Sequence, residues 1–153
     1  MRKSVLFAAI ASAALLFGAS LAQAADATAA EAKAMLEKAV AALKANEATA
    51  LAAFPKMDGG FRDRDLYVFC YNMTDGKFTA HVNPALMGTD VRALKEKDGS
   101  PLGQKIFDAI KANPGKVITV DYKFPRPNTT EPVAKQSFVT QVGNQGCGVG
   151  YYK

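Results

Sequence analysis

The chain has 153 residues, 49% of them hydrophobic and 22% charged, which suits one domain with its own core and argues against disorder. The formal charge of +5 includes Arg2 and Lys3, so loss of a leader carrying those two leaves +3, too mild for a nucleic-acid surface, and no basic stripe alternates with aromatics. With one His and two Cys in no metal-ligand spacing, a metal centre is not expected.

Residues 1–24 read as a secretory signal peptide. Arg2-Lys3 is a positive start, Val5 to Leu21 is apolar, and Ala22-Gln23-Ala24 fits the small-x-small cleavage rule. An uncleaved anchor is the competing reading, but the stretch is short for about 30 Å of hydrocarbon. Cleavage leaves a mature domain over residues 25–153, with no membrane span, in the periplasm.

Asp26 to Asn46 has a helical period, with Ala32, Met35, Leu36, Ala39, Val40 and Leu43 on one stripe. Thr28 and Glu31 form a capping box, and Asn46 can close the helix. The helix either covers a sheet or offers a homodimer surface. Ala48 to Phe54 is a second short helix, stopped by Pro55, and the charges of Phe61 to Arg64 suit a solvated edge.

Leu66 to Met73 is rich in aromatic and β-branched residues and reads as a strand. Tyr67, Phe69 and Tyr71 share one face, and Leu66, Val68 and Cys70 the other. Thr74-Asp75-Gly76 is a hairpin turn, after which Lys77 to Val82 returns and Asn83-Pro84 ends the strand. His81, the only histidine, sits where that strand gives way to a loop. Val91 to Glu96 suggests a helical turn. Ser100 then caps a helix that has Pro101 at its first position and runs to about Ala112. Its buried stripe is Leu102, Ile106, Phe107 and Ile110, and Asn113-Pro114-Gly115 stops it. Lys116 to Phe124, Val133 to Val142 and Cys147 to Tyr152 are three further strands. Strands joined by short turns predict an α+β fold with an antiparallel sheet of about five strands and helices on one face.

Gly146, Gly148 and Gly150 alternate with Cys147, Val149 and Tyr151, which leaves one face of the last strand bare. A helix or a ligand can approach such a backbone closely. Tyr71, His81, Tyr122, Lys135 and Tyr151 are candidates to converge over Gly148 and Gly150. Tyr supplies an apolar body and a donor, and a Lys holds a carboxylate by charge-assisted hydrogen bonds. No phosphate loop, GxSxG or HExxH is present, so an enzyme is not expected. The lack of CxxCH argues against attached haem, and no cofactor is implied. Cys70 with His81 could form a nucleophile and base, against which stands a structural disulfide.

The segments DLYVF, DGKFTAHVNPALMGTDV, KDGSPLGQKIFDAIKANPGKVITVDYKFPRP and VGNQGCGVGYYK, in that order, resemble the single Cache domain, a family of extracytoplasmic small-molecule sensors related in fold to PAS domains. The resemblance implies a long N-terminal helix laid along a PAS-like sheet, with a small carboxylate held between the sheet and the loops over it. It also implies that the first and last strands are neighbours, which brings Cys70 and Cys147 within reach of a disulfide. The chain departs from the family pattern in His81-Val82 where His-Pro is expected, and in Phe124 and Phe138 where Trp and Tyr are expected. Family members commonly sit in membrane receptors. With the chain ending at Lys153, immediately after the last strand, it is expected to act with a separate membrane receptor or transporter. An interaction protein that kept the fold without a ligand is the alternative.

Overall fold

Helix α1 (Ala29–Ala45) starts at the capping box. The Thr28 amide donates to Glu31 Oε2 at 2.7 Å, and the Glu31 amide donates to Thr28 Oγ1 at 3.3 Å. Two otherwise orphaned helix-start donors are thereby satisfied. The computed structural model describes residues 26–153. The expected signal peptide, residues 1–24, lies outside them. Asn46 ends α1 and also opens α2 (Glu47–Ala53), its side chain accepting the Thr49 amide at 2.9 Å. No helix among the described residues is long and apolar enough to cross a membrane.

The sheet contains β1 (Arg62–Asp63), β2 (Leu66–Asn72), β3 (Phe78–Ala80), β4 (Ile118–Pro125), β5 (Pro132–Val142) and β6 (Gln145–Tyr152). The order is β1-β2-β6-β5-β4, with β3 also paired to β2, and every pairing is antiparallel. The first long strand and the last are thus neighbours. The strand beyond the expected five is β1, where the sequence suggested only a solvated edge. The β2–β3 turn follows Asp75-Gly76, with Gly76 at φ +77° and the Asn72 side chain accepting the Thr74 amide at 2.8 Å.

Strand alternation divides the core in two. Leu66, Val68 and Cys70 of β2, with Cys147 and Val149 of β6, meet Leu36, Ala39 and Leu43 of α1 and Phe54 after α2. Tyr67, Phe69 and Tyr71 point the other way, onto Leu102, Ile106, Phe107 and Ile110 of helix α3 (Leu102–Ala112). The sheet therefore carries α1 and α2 on one face and α3 on the opposite one. Full burial of a side chain such as Leu36 or Ile110 contributes about 1.5–3 kcal/mol.

Cys70 and Cys147 are register partners in β2 and β6 and form a disulfide with Cα atoms 4.1 Å apart. Closing a sequence separation of 77 contributes about 4.5 kcal/mol in the chain-entropy account. The bond removes Cys70 from any nucleophilic role with His81.

The start of α3 corrects the expected Ser100 cap. Pro101 is the N-cap and no side chain caps the helix, because Ser100 is held in the preceding turn, its amide donating to Asp98 Oδ1 at 2.9 Å. Docking replaces capping here: the Gly103 amide donates to the Leu94 carbonyl at 2.9 Å. A methyl group on Gly103 would collide with the Val91 carbonyl oxygen. This close approach sets α3 and the Val91–Ala93 turn as one unit over the sheet.

Candidate functional site

The face of the sheet beneath α3 holds a small, mainly apolar cavity of about 20 Å³. Phe69 and Tyr67 come from β2, Phe78 and His81 from β3 and the residue after it, and Tyr122 and Phe124 from β4. Leu102 and Ile106 close it from α3. That volume exceeds the 10–15 Å³ or so needed to hold a water. A cleft of about 400 Å³ lies alongside, between the Val82–Pro84 segment and the Phe124–Thr129 loop. Tyr67, His81 and Phe124 border both spaces, so they form the wall between them.

Lys135 lies behind this wall. It pairs in register with Tyr122 of β4 and Tyr152 of β6, so the three side chains leave the sheet on the same face. Only 1% of Lys135 is exposed. Its Nζ donates to Tyr67 Oη at 3.0 Å and to Tyr152 Oη at 3.3 Å. It also sits 4.2 Å from the Tyr67 ring centre and 4.5 Å from that of Tyr152. An ammonium has three donors, and no carboxylate among the described residues reaches ion-pair distance of this one. Burial, with a smaller contribution from Arg126, pushes its pKa down to about 7, against the pull of Asp65. Rings and hydroxyls replace only part of the lost hydration of a buried charge.

His81 is held as a neutral ring. Its Nδ1 accepts the Asn83 amide at 2.9 Å, which leaves the neutral ring's proton on Nε2. Burial and the nearby Lys135 charge lower its pKa to about 4. Tyr122 Oη and Ser137 Oγ share a buried hydrogen bond of 2.7 Å, and burial raises the Tyr122 pKa. Arg126 is fixed at the rim by Asp26, at 2.6 and 2.8 Å, and by Asp65 at 3.3 Å. Its guanidinium also stacks 4.4 Å from the Tyr152 ring centre.

The family profile described as Single Cache domain 2 matches residues 9–152. The chain belongs to the single Cache domain family. Three solved structures share the fold. A methyl-accepting chemotaxis protein from Vibrio parahaemolyticus RIMD 2210633 is 22% identical over 80% of this chain and 86% of its own, with a TM-score of 0.65. A Cache chemosensory domain described for carboxylic acid recognition is 22% identical over 80% and 86%, with a TM-score of 0.61. A periplasmic sensor domain of a chemotaxis protein is 27% identical over 80% and 88%, with a TM-score of 0.59. No curated protein matches the chain.

Within this Cache domain the residues singled out from sequence separate. His81 and Tyr122 border the cavity, and Lys135 stands directly behind Tyr67. Tyr71 is on the cavity face but deeper, stacked on Phe107 with ring centres 5.9 Å apart, and its hydroxyl has no partner. Gly148 and Gly150 are on the same face yet touch neither space. Added Cβ atoms would meet Phe69 and Val139 at Gly148, and Lys135 and Ser137 at Gly150. The bare strand is thus filled by its neighbours' side chains rather than by a helix or an open pocket floor.

Tyr151 departs from the expectation. It lies on the α1 face, stacked on Phe138 with centres 6.2 Å apart and donating to Gln136 Oε1 at 2.7 Å. Phe138 is therefore also remote from the cavity, and its lack of a hydroxyl does not alter the site. The tyrosines that reach Lys135 are Tyr67 and Tyr152, both missed from sequence. Parity could have found them: Tyr152 is in step with Gly148 and Gly150, and Tyr67 with Phe69 and Tyr71.

Proposed function

We propose that this Cache domain is a binding module for a small carboxylic acid, with its apolar end in the cavity and its carboxylate toward Tyr67, His81 and the Lys135 charge. The observation that carries the reading is Lys135, a buried ammonium beside a cavity with no carboxylate partner among the described residues. An anionic ligand supplies the missing counter-charge, which is the condition under which a buried charge becomes favourable. Tyr122 borders the apolar end, and the small Gly148 and Gly150 leave room for Phe69 and Lys135 to lie over β6. The cavity admits a group of about the size of a water or a methyl before side chains must move.

The reading places the domain in the periplasm, exported by residues 1–24 and presenting its ligand state to a membrane receptor or transporter. The carboxylic acid recognition described for one of the similar structures agrees with this ligand class.

A thermal-unfolding screen with formate, acetate, propionate, lactate, pyruvate, malonate and succinate tests the reading. A ligand bound only by the native state adds about 2.7 kcal/mol at a hundredfold excess over Kd. Lys135→Ala is expected to weaken the acid so found by about tenfold to a hundredfold. No shift with any acid, or unchanged affinity in Lys135→Ala, refutes it. The narrowness of the cavity favours one second reading, an interaction protein that keeps the Cache fold without a ligand, for which no acid would shift unfolding.

A further inference from the structure

The cleft beside the cavity has a chemistry of its own. Neither Asp nor Glu is among the residues bordering it. Arg62 pairs in register with Tyr67, so its side chain leaves the sheet on the cavity face. The Arg62 guanidinium makes one hydrogen bond, from Nη1 to the Pro55 carbonyl at 3.2 Å, and no ion pair with any described residue. Its other N–H groups remain to be used. Arg126 on the opposite rim is already matched to Asp26 and Asp65.

The remaining polar groups around the cleft are also mainly donors. Asn83 uses its Oδ1 to accept the Ala85 amide at 3.0 Å, which leaves its NH₂ group to donate. The His81 ring can donate through Nε2. Asn128 stands at φ +64° and makes no side-chain hydrogen bond among the described residues. The loop that carries it is pinned by Thr129, whose amide and hydroxyl both donate to the Arg126 carbonyl, at 3.0 and 2.9 Å.

We propose that this cleft is a second anion subsite, built around Arg62, Asn83 and Asn128, so that the acid the domain takes carries a second anionic group. The inference rests on the carboxylate reading of the adjoining cavity and narrows it to dicarboxylates. A planar carboxylate matches the fork of a guanidinium, and the amide donors of the two asparagines suit its remaining lone pairs. Tyr67 and His81 border both spaces, so a short diacid with its methylene carbons at the cavity and its first carboxylate against these two side chains directs its second carboxylate into the cleft. A monocarboxylate would leave the Arg62 charge to solvent.

Calorimetry on the purified protein compares acetate, propionate and butyrate with malonate, succinate and glutarate. A charge-assisted pair at Arg62 should give the best dicarboxylate at least about a tenfold advantage over the best monocarboxylate. Arg62→Gln, which keeps an amide donor for Pro55, is expected to bring that ratio close to one. Asn128→Gly, which accepts the left-handed backbone without strain, should reduce the ratio in the same direction and guards against misfolding of the first variant. Monocarboxylates binding as tightly as dicarboxylates overturn the second subsite alone. A ratio unchanged in both variants does the same. Failure of every acid to bind overturns the carboxylate reading and this inference with it.

Discussion

Replacing Lys135 with Met tests whether a buried charge has been kept at the expense of stability. The pKa falls from the ordinary 10.5 to about 7. At 1.36 kcal/mol per unit, that is about 5 kcal/mol of penalty wherever the folded protein must hold the charge. The sign follows from proton counting. Between about pH 7 and 10.5 the unfolded chain binds the Lys135 proton more fully than the folded one, so this group makes stability rise with pH there. Below about pH 7 the whole penalty is present. Met fills the same volume without charge, but it deprives Tyr67 Oη of its donor, a loss of about 1–3 kcal/mol. Tyr152 keeps its 2.6 Å bond to the Pro125 carbonyl. Lost attraction to the Tyr67 and Tyr152 rings removes up to about 2 kcal/mol more. The variant should therefore be more stable than the parent by about 1–3 kcal/mol at pH 6, as found for other buried charges replaced by apolar residues. By pH 9.5 the advantage should vanish or reverse. Urea denaturation at pH 6, 7.5 and 9.5, without reductant, gives the three differences. A variant less stable at pH 6, or a difference that does not change with pH, would refute the reasoning. The same charge predicts that carboxylate affinity declines above about pH 7, approaching tenfold per unit, as the ammonium loses its proton.

His81→Ala is expected to change affinity for a confirmed ligand by the same factor at pH 6 and pH 8, because a ring with its pKa near 4 is neutral at both, and calorimetry at the two values checks this. Gly103→Ala should destabilise the domain by about 1–3 kcal/mol despite the better helix propensity of Ala, since the Val91 carbonyl must move; the denaturation midpoint reports it. Replacing Cys70 and Cys147 together by Ala should remove up to about 4.5 kcal/mol, and reductant should lower the parent's midpoint but not the variant's.

Local chemistry made several features legible in the sequence alone. Thr28 and Glu31 are three residues apart, and the capping box they form needs nothing beyond the first turn of α1. Asp75-Gly76 marked its turn because only a few residues accept the positive φ found at Gly76. The two faces of β2 followed from a period of two, which is a property of any strand. Tertiary structure decided what those faces meet. Folding set α3 on the Tyr67 face, with Gly103 close against Val91, an approach that no spacing within α3 encodes. Lys135 looks like an ordinary strand lysine until the β4–β5–β6 register sets Tyr122 and Tyr152 beside it and β2 brings Tyr67 over it. Tyr151 and Tyr152 are adjacent in sequence, and register alone chose which one reaches the ammonium, because neighbouring residues of a strand lie on opposite faces. Arg62 and Asn128 carried no periodic signal at all. They face one cleft because β1, at one edge of the sheet, and the loop after β4, the strand at the other edge, lie at the same end of the strands, a closeness created by folding rather than by sequence neighbours.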